Sequence, residues 1–290
     1  MRTAGLWLAC FFWAVSFIAS KVALESASPL TVVTLRLAIS ALCFALWFGL
    51  RGWPRLAWTR RNAGHIVLLS LCGTTLHYGT QTVGLQYTPA ANASLYASTC
   101  PVSIALIAAF TLGERLSLRK LLGIGLALAG VLCAMGLDTL RAFELGSYLK
   151  GDFLVFLSIV LWAVFTVYGK KLGARLGALE LLGVVTIIGA LTMLPVWALE
   201  VLRGGSGLAG MTARGWTATV FLGLTCSFLA TVLYFLALEK RESQKVGVYL
   251  YTIPIMTYAA AWLYLGEAIG WNLFWGLVLV LSGVYLTERG

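Results

Sequence analysis

The chain has 290 residues, of which 60% are apolar and only 11% charged, with a mean hydropathy of +0.90 and a net charge of +10. About a quarter of the residues in a soluble domain are charged, so there is too little polar surface here to coat a water-facing globule, and lipid must cover much of the outside. Nor is the positive charge a nucleic-acid footprint, because the basic residues fall in short patches between apolar runs, such as Arg51, Arg55, Arg60 and Arg61.

Ten membrane-spanning helices are predicted in chain order, at 4–21, 29–49, 64–84, 90–111, 119–136, 151–170, 178–198, 215–238, 246–265 and 270–287. Each is near the roughly 20 residues that cross about 30 Å of hydrocarbon. The first continues past Trp13 to Lys21 and reads as a functional span rather than a cleaved signal. The second starts at Pro29 and holds Arg36, the one basic residue placed inside a span. The third offers His77, Tyr78 and Gln81, and the fourth Asn92, Tyr96, Thr99 and Ser103 around Pro101. A tight turn, Leu112-Gly113-Glu114-Arg115, leads into the fifth, where Gly123 and Gly130 share a face. In the sixth, Trp162, Thr166 and Lys170 recur at four-residue spacing. The ninth carries Tyr251 and Tyr258 with Pro254 between them; Gly266-Glu267 turns into the tenth, with Gly276 and Gly283. Six cysteines lie inside apolar segments without metal-ligand spacing and read as packed free thiols.

The second half echoes the first. Pro101, Gly113-Glu114, Gly123 and Gly130 return as Pro254, Gly266-Glu267, Gly276 and Gly283, each 153 residues later, and Trp13-Ala14-Val15 returns as Trp162-Ala163-Val164. Residues 1–137 and 151–290 are therefore expected to be two five-helix repeats, joined by an external linker at 138–150. An odd span number inverts the second repeat relative to the first, the architecture of many secondary transporters. With the amino terminus inside, 15 of 21 basic residues face the cytoplasm and five face outward, so both termini are expected to be cytoplasmic in a bacterial inner membrane.

Leu112-Gly113-Glu114-Arg115-Leu116 followed by Gly123 and Gly130, its echo at 265–283, Arg36 and Trp13 together resemble the signature of the EamA branch of the drug/metabolite transporter superfamily. The resemblance covers essentially the whole chain and is closest to members that export aromatic amino acids. It implies a carrier for amino acids and other small metabolites, often moved outward. Other branches of that superfamily place several basic residues in the cavity for anionic cargo. Few charges are embedded here, which points away from phosphates and nucleotides.

Polar groups are expensive in lipid, so His77, Gln81, Asn92 and Thr166 should face protein or a wet cavity. Trp13, Trp162, Tyr78, Tyr96 and Tyr251 either line a substrate path or pack between helices. His77 is either a cavity group open to proton coupling or a neutral bridge between helices. Arg36 has two roles open, holding helix-terminal carbonyls or binding a substrate carboxylate. Glu114 and Glu267 are expected to cap the start of the following helix. Pro101 and Pro254 are expected to kink their helices near mid-membrane, and the paired glycines to allow close helix approach. Neither an enzyme's paired acids nor a phosphate-binding loop is present, so the expectation is a transporter without metal or cofactor, functional as a monomer, with a channel as the alternative.

Overall fold

The computed structural model describes residues 2–54, 60–88, 96–141, 148–204, 208–257 and 271–290. These residues are helical throughout, apart from turns and short connections. Arg55, Asn92, Tyr258, Gly266 and Glu267 lie outside the described residues, as does the side chain of Lys21.

Among the described residues, ten helical elements follow one another. We number them α1 (Arg2–Leu24), α2 (Pro29–Arg51), α3 (Arg60–Ser70, Leu71–Leu76 and His77–Gly84 in one rod), α4 (Cys100–Leu112) and α5 (Leu118–Arg141). The second set is α6 (Leu149–Leu176), α7 (Ala178–Leu202) and α8 (Ala213–Phe221, Leu222–Leu229 and Ala230–Leu238). It ends with α9 (Ser243–Gly247, Val248–Tyr251 and on through 252–257) and α10 (Trp271–Arg289). By length and composition, α1, α2, α6, α7, α8 and α10 are each long and apolar enough to cross a membrane. Their outer faces carry exposed Leu, Phe and Trp side chains, as a lipid-coated bundle requires.

Two local features repeat. Both α3 and α8 pass through π-helical turns at their middles, Leu71–Leu76 and Leu222–Leu229. Such wide turns shift the backbone ladder by one residue and often mark functional sites. The prolines also act alike, though not as mid-helix kinks. Pro101 sits in the first turn of Cys100–Leu112, just after a turn at 98–99, and Pro254 follows the 3-10 turn Val248–Tyr251. A proline ring clashes with the carbonyl four residues back, so the helix is broken or tightened in the turn ahead of it.

The halves interlock. α3 packs on α6 and α7 of the second half, and α8 packs on α1 and α2 of the first. Outside this core, α5 and α10 cross through their glycines. A Cβ on Gly123 would stand 2.7 Å from the Gly283 carbonyl oxygen, and one on Gly130 would stand 2.8 Å from that of Gly276. Gly123 and Gly130 recur 153 residues later as Gly276 and Gly283, so each of the two contacts pairs a glycine of α5 with the counterpart of the other. Both chain ends lie on the same side: Arg241 bonds Thr3 at 3.1 Å and Glu288 at 2.5 Å. We call this side the basic end.

Candidate functional site: an aromatic cluster around a buried arginine

The mid-span residues of α1, α2, α3, α6 and α8 meet in one cluster. The Trp13 and Trp162 rings, from equivalent positions of the two repeats, stack edge to face at 5.5 Å. His77 lies 5.1 Å from Trp162 and 4.7 Å from Tyr78. Tyr234 completes the group, 5.2 Å from Trp13 and 6.2 Å from Trp162. Such offset and edge-on geometries suit the ring quadrupoles.

The two tryptophans are held differently. The Trp13 indole N–H donates to the Cys226 carbonyl at 3.0 Å, within the π-helical turns of α8. Among the described residues the Trp162 indole N–H has no such acceptor, and its ring borders a small central cavity of about 10 Å3, roughly the room for one water. Thr74, Tyr78, Phe165, Ser227 and Thr231 are among its other walls. Both π-helical segments thus contribute to this cavity, Thr74 from α3 and Ser227 from α8.

Arg36 is only 6% exposed. Its Nε donates to the Ser227 hydroxyl at 2.9 Å, and its guanidinium lies 4.4 Å over the Tyr78 ring. It forms no ion pair with a carboxylate among the described residues. Among the described residues a hydroxyl and an aromatic face hold it, and no contact with a helix-terminal carbonyl is seen. His77 Nδ1 is 2.9 Å from the Ser158 carbonyl oxygen. A carbonyl only accepts, so Nδ1 carries the proton and the ring bridges α3 to α6 while its other edge meets the cluster.

Other expected residues fall elsewhere. Tyr96 meets Phe156 and lies beside Asp152 toward the end opposite the basic one, where Thr88 donates to Asp152 at 2.5 Å. Gln81 is half-buried one turn beyond His77. Thr166 is fully buried one turn beyond Trp162, beside the Tyr234 phenol but outside hydrogen-bonding geometry. Tyr251 is also fully buried, with its phenol unpartnered. Sequence reasoning missed Ser227, Thr231 and Tyr234. Their spacing of four and three residues puts them on one face of α8, a signal the sequence does carry.

Glu114 requires a correction. Gly113 ends α4 with φ +67°, a left-handed turn open to glycine, and swings Glu114 back across the bundle. Its carboxylate accepts from the Ser243 N–H at 2.8 and 3.0 Å, the Ser243 hydroxyl at 2.9 Å and Lys170 Nζ at 2.8 Å. It caps α9, in the other repeat, rather than the next helix α5. Burial alone would raise its pKa, but the bond and charge of Lys170 with the Ser243 donors outweigh this and hold the carboxyl below its ordinary value. The larger hollow, about 470 Å3 beside Leu30, Glu200 and Arg203, is lined by none of the clustered aromatics and sits at the other end.

Three comparisons with known proteins agree with this architecture. The EamA-like transporter family matches twice, over residues 4–136 and 149–289. An uncharacterized transporter of Archaeoglobus fulgidus is 30% identical, the alignment covering 97% of this chain and 94% of that one. A protein of Streptantibioticus cattleyicolor, named a probable terminal-alkyne amino-acid exporter, is 27% identical over 96% of this chain and 90% of its own. A solved crystal structure superposes with a TM-score of 0.84, over 100% of this chain and 98% of the other, at 19% identity, which shows the fold alone. The chain is a multi-pass membrane transporter, not an enzyme, and belongs to the EamA-like transporter family.

Proposed function

We propose that this transporter exports aromatic or other apolar amino acids and related small metabolites by alternating access. The observation that carries the reading is Arg36, a buried cation with no carboxylate partner among the described residues. A charge in that position is costly until a counter-ion arrives. A substrate carboxylate supplies one, and Tyr78, Trp162 and Phe165 around the cavity offer apolar faces to its side chain. The exporter name of the Streptantibioticus relative supports amino-acid cargo.

The basic end is the cytoplasmic side in this reading, in a bacterial inner membrane, and residues 1–137 and 151–290 are oppositely inserted repeats linked outside at 138–150. A monomer is the functional unit in this reading. His77 is the candidate group for proton coupling; without coupling, flux follows the amino-acid gradient.

Uptake into proteoliposomes tests the proposal. Phenylalanine, tryptophan, threonine and methionine should be taken up saturably and show counterflow, which a channel would not. Transport of a sugar phosphate with none of these amino acids would overturn the substrate class. A rate insensitive to an imposed pH difference and to membrane potential would remove proton antiport.

A further inference from the structure

From the aromatic cluster toward the basic end runs a column of buried polar groups, which shares Trp162, Ser227, Thr231 and Tyr234 with the site above. On α6, Trp162, Thr166 and Lys170 follow one another at four-residue spacing along one face. On α9, Ser243, Gly247 and Tyr251 recur at the same spacing across the passage into the 3-10 turn Val248–Tyr251, and on α8 Ser227, Thr231 and Tyr234 continue from the Arg36 contact. The first two stripes end at the same place, because Lys170 and Ser243 are both bonded to Glu114. Within the column Thr166, Tyr234 and Tyr251 are each 0% exposed, and their three hydroxyls have no hydrogen-bond partner among the described residues.

A buried hydroxyl without a partner is destabilising. Three in one column, between a central cavity and a charged cap, call for a conformer in which they are satisfied. Packing shows how the column closes. Gly247 on α9 lets Ile104 of α4 approach to where a Cβ would stand at 3.3 Å. Lys170 also donates to the Arg241 carbonyl, and the Lys120–Glu242 pair at 2.6 Å lies beside this cap. Glu114 thus joins the ends of α4, α6 and α9 at one point.

We propose that this column is the collapsed half of the transport path leading to the basic end, and that Glu114 is the latch that keeps it shut. When Glu114 leaves Ser243 and Lys170, α9 separates from α4 and α6. Water or the polar head of a zwitterionic solute then reaches the Thr166, Tyr234 and Tyr251 hydroxyls on its way to or from Arg36. This rests on the alternating-access reading but not on the identity of the cargo.

Cys100, a buried native thiol close to both Tyr234 and Tyr251, reports on the column. In full-length protein retaining only this cysteine, in sealed vesicles, a membrane-impermeant thiol reagent should label it slowly, and only from the basic end. Glu114→Gln should speed that labelling about tenfold by raising the open population. Unchanged labelling in a folded Glu114→Gln protein, or labelling from the opposite end, overturns the proposal; amino-acid flux persisting alongside that result leaves the proposed function standing. Thr166→Val provides an independent readout should Glu114→Gln fail to fold. Losing an unpartnered hydroxyl should keep or raise the melting temperature while slowing transport, whereas a lower melting temperature with unchanged transport would mean Thr166 is only a packing group.

Discussion

At the scale of single residues, the two tryptophans that the repeat made equivalent have acquired different constraints. Trp13 is pinned through its indole N–H to the Cys226 carbonyl, which the Thr231 hydroxyl also reaches at 3.3 Å, so Trp13→Phe should cost about 1 kcal/mol of stability through the loss of one hydrogen bond, measurable by thermal unfolding in detergent. Trp162 borders the cavity, and its N–H meets no acceptor among the described residues. Trp162→Ala should still fold, yet change affinity for bulky side chains about 5–150-fold, as loss of roughly 1–3 kcal/mol of aromatic contact implies. Unchanged affinity and rate across aromatic and aliphatic amino acids would reduce Trp162 to packing. Arg36→Gln should weaken amino-acid binding by about tenfold or more, and should spare amine analogues that lack the carboxylate. Equal losses for both ligand types would show that Arg36 acts only through the fold. Much of this cluster was legible in the sequence, because a mid-span Arg, His or Trp is expensive or bulky enough to stand out. For Ser227 and Tyr234 the spacing on one face of α8 was legible but their role was not, since hydroxyls at helix positions do not distinguish an anchor for Arg36 from a packed side chain.

Among the elements, the glycine crossing of α5 and α10 makes a sharply local prediction. A Cβ on Gly130 would meet the Val280 nitrogen at 2.7 Å, whereas one on Gly125, about one and a half turns away on another face, would meet nothing within 4 Å. Gly130→Ala should therefore destabilise by about 1–3 kcal/mol through forced separation of two backbones, while Gly125→Ala should be neutral or slightly stabilising, since alanine favours the helix. Similar melting temperatures for the two variants would contradict the close crossing. Spacing alone revealed these glycines and the Gly113-Glu114 turn. What Glu114 caps was hidden: a carboxylate after a left-handed glycine can serve any nearby helix start, and only the tertiary arrangement selects Ser243 over the start of α5. The π-helical turns were equally hidden, because one extra residue in a backbone ladder leaves the apolar pattern of α3 and α8 almost unchanged.

Over the whole molecule, the charged cap at the basic end should make the closed form pH-dependent. The Glu114 carboxyl is held below its ordinary value of 4.5, so its contribution is fully present above that pH and is lost as pH falls through the lowered value. Stability followed from neutral pH downward should therefore show an acid-side loss that Glu114→Gln abolishes; the same loss in both proteins would assign it to other carboxylates. The overall bundle was readable from hydropathy and from the 153-residue echo, whereas the interlocking was not, because hydropathy says where a span lies and nothing of which span it touches. That interlocking governs how the chain can be made. While the ribosome is still delivering the second half, α3 waits in the bilayer with the surfaces meant for α6 and α7 turned to lipid, and the Ser158 acceptor of His77 has not yet been synthesised. Folding cannot proceed one repeat at a time. A polypeptide stopped after Arg141 should be cleared by membrane proteases in pulse-chase labelling, and should persist when residues 142–290 are supplied as a second chain in the same membrane.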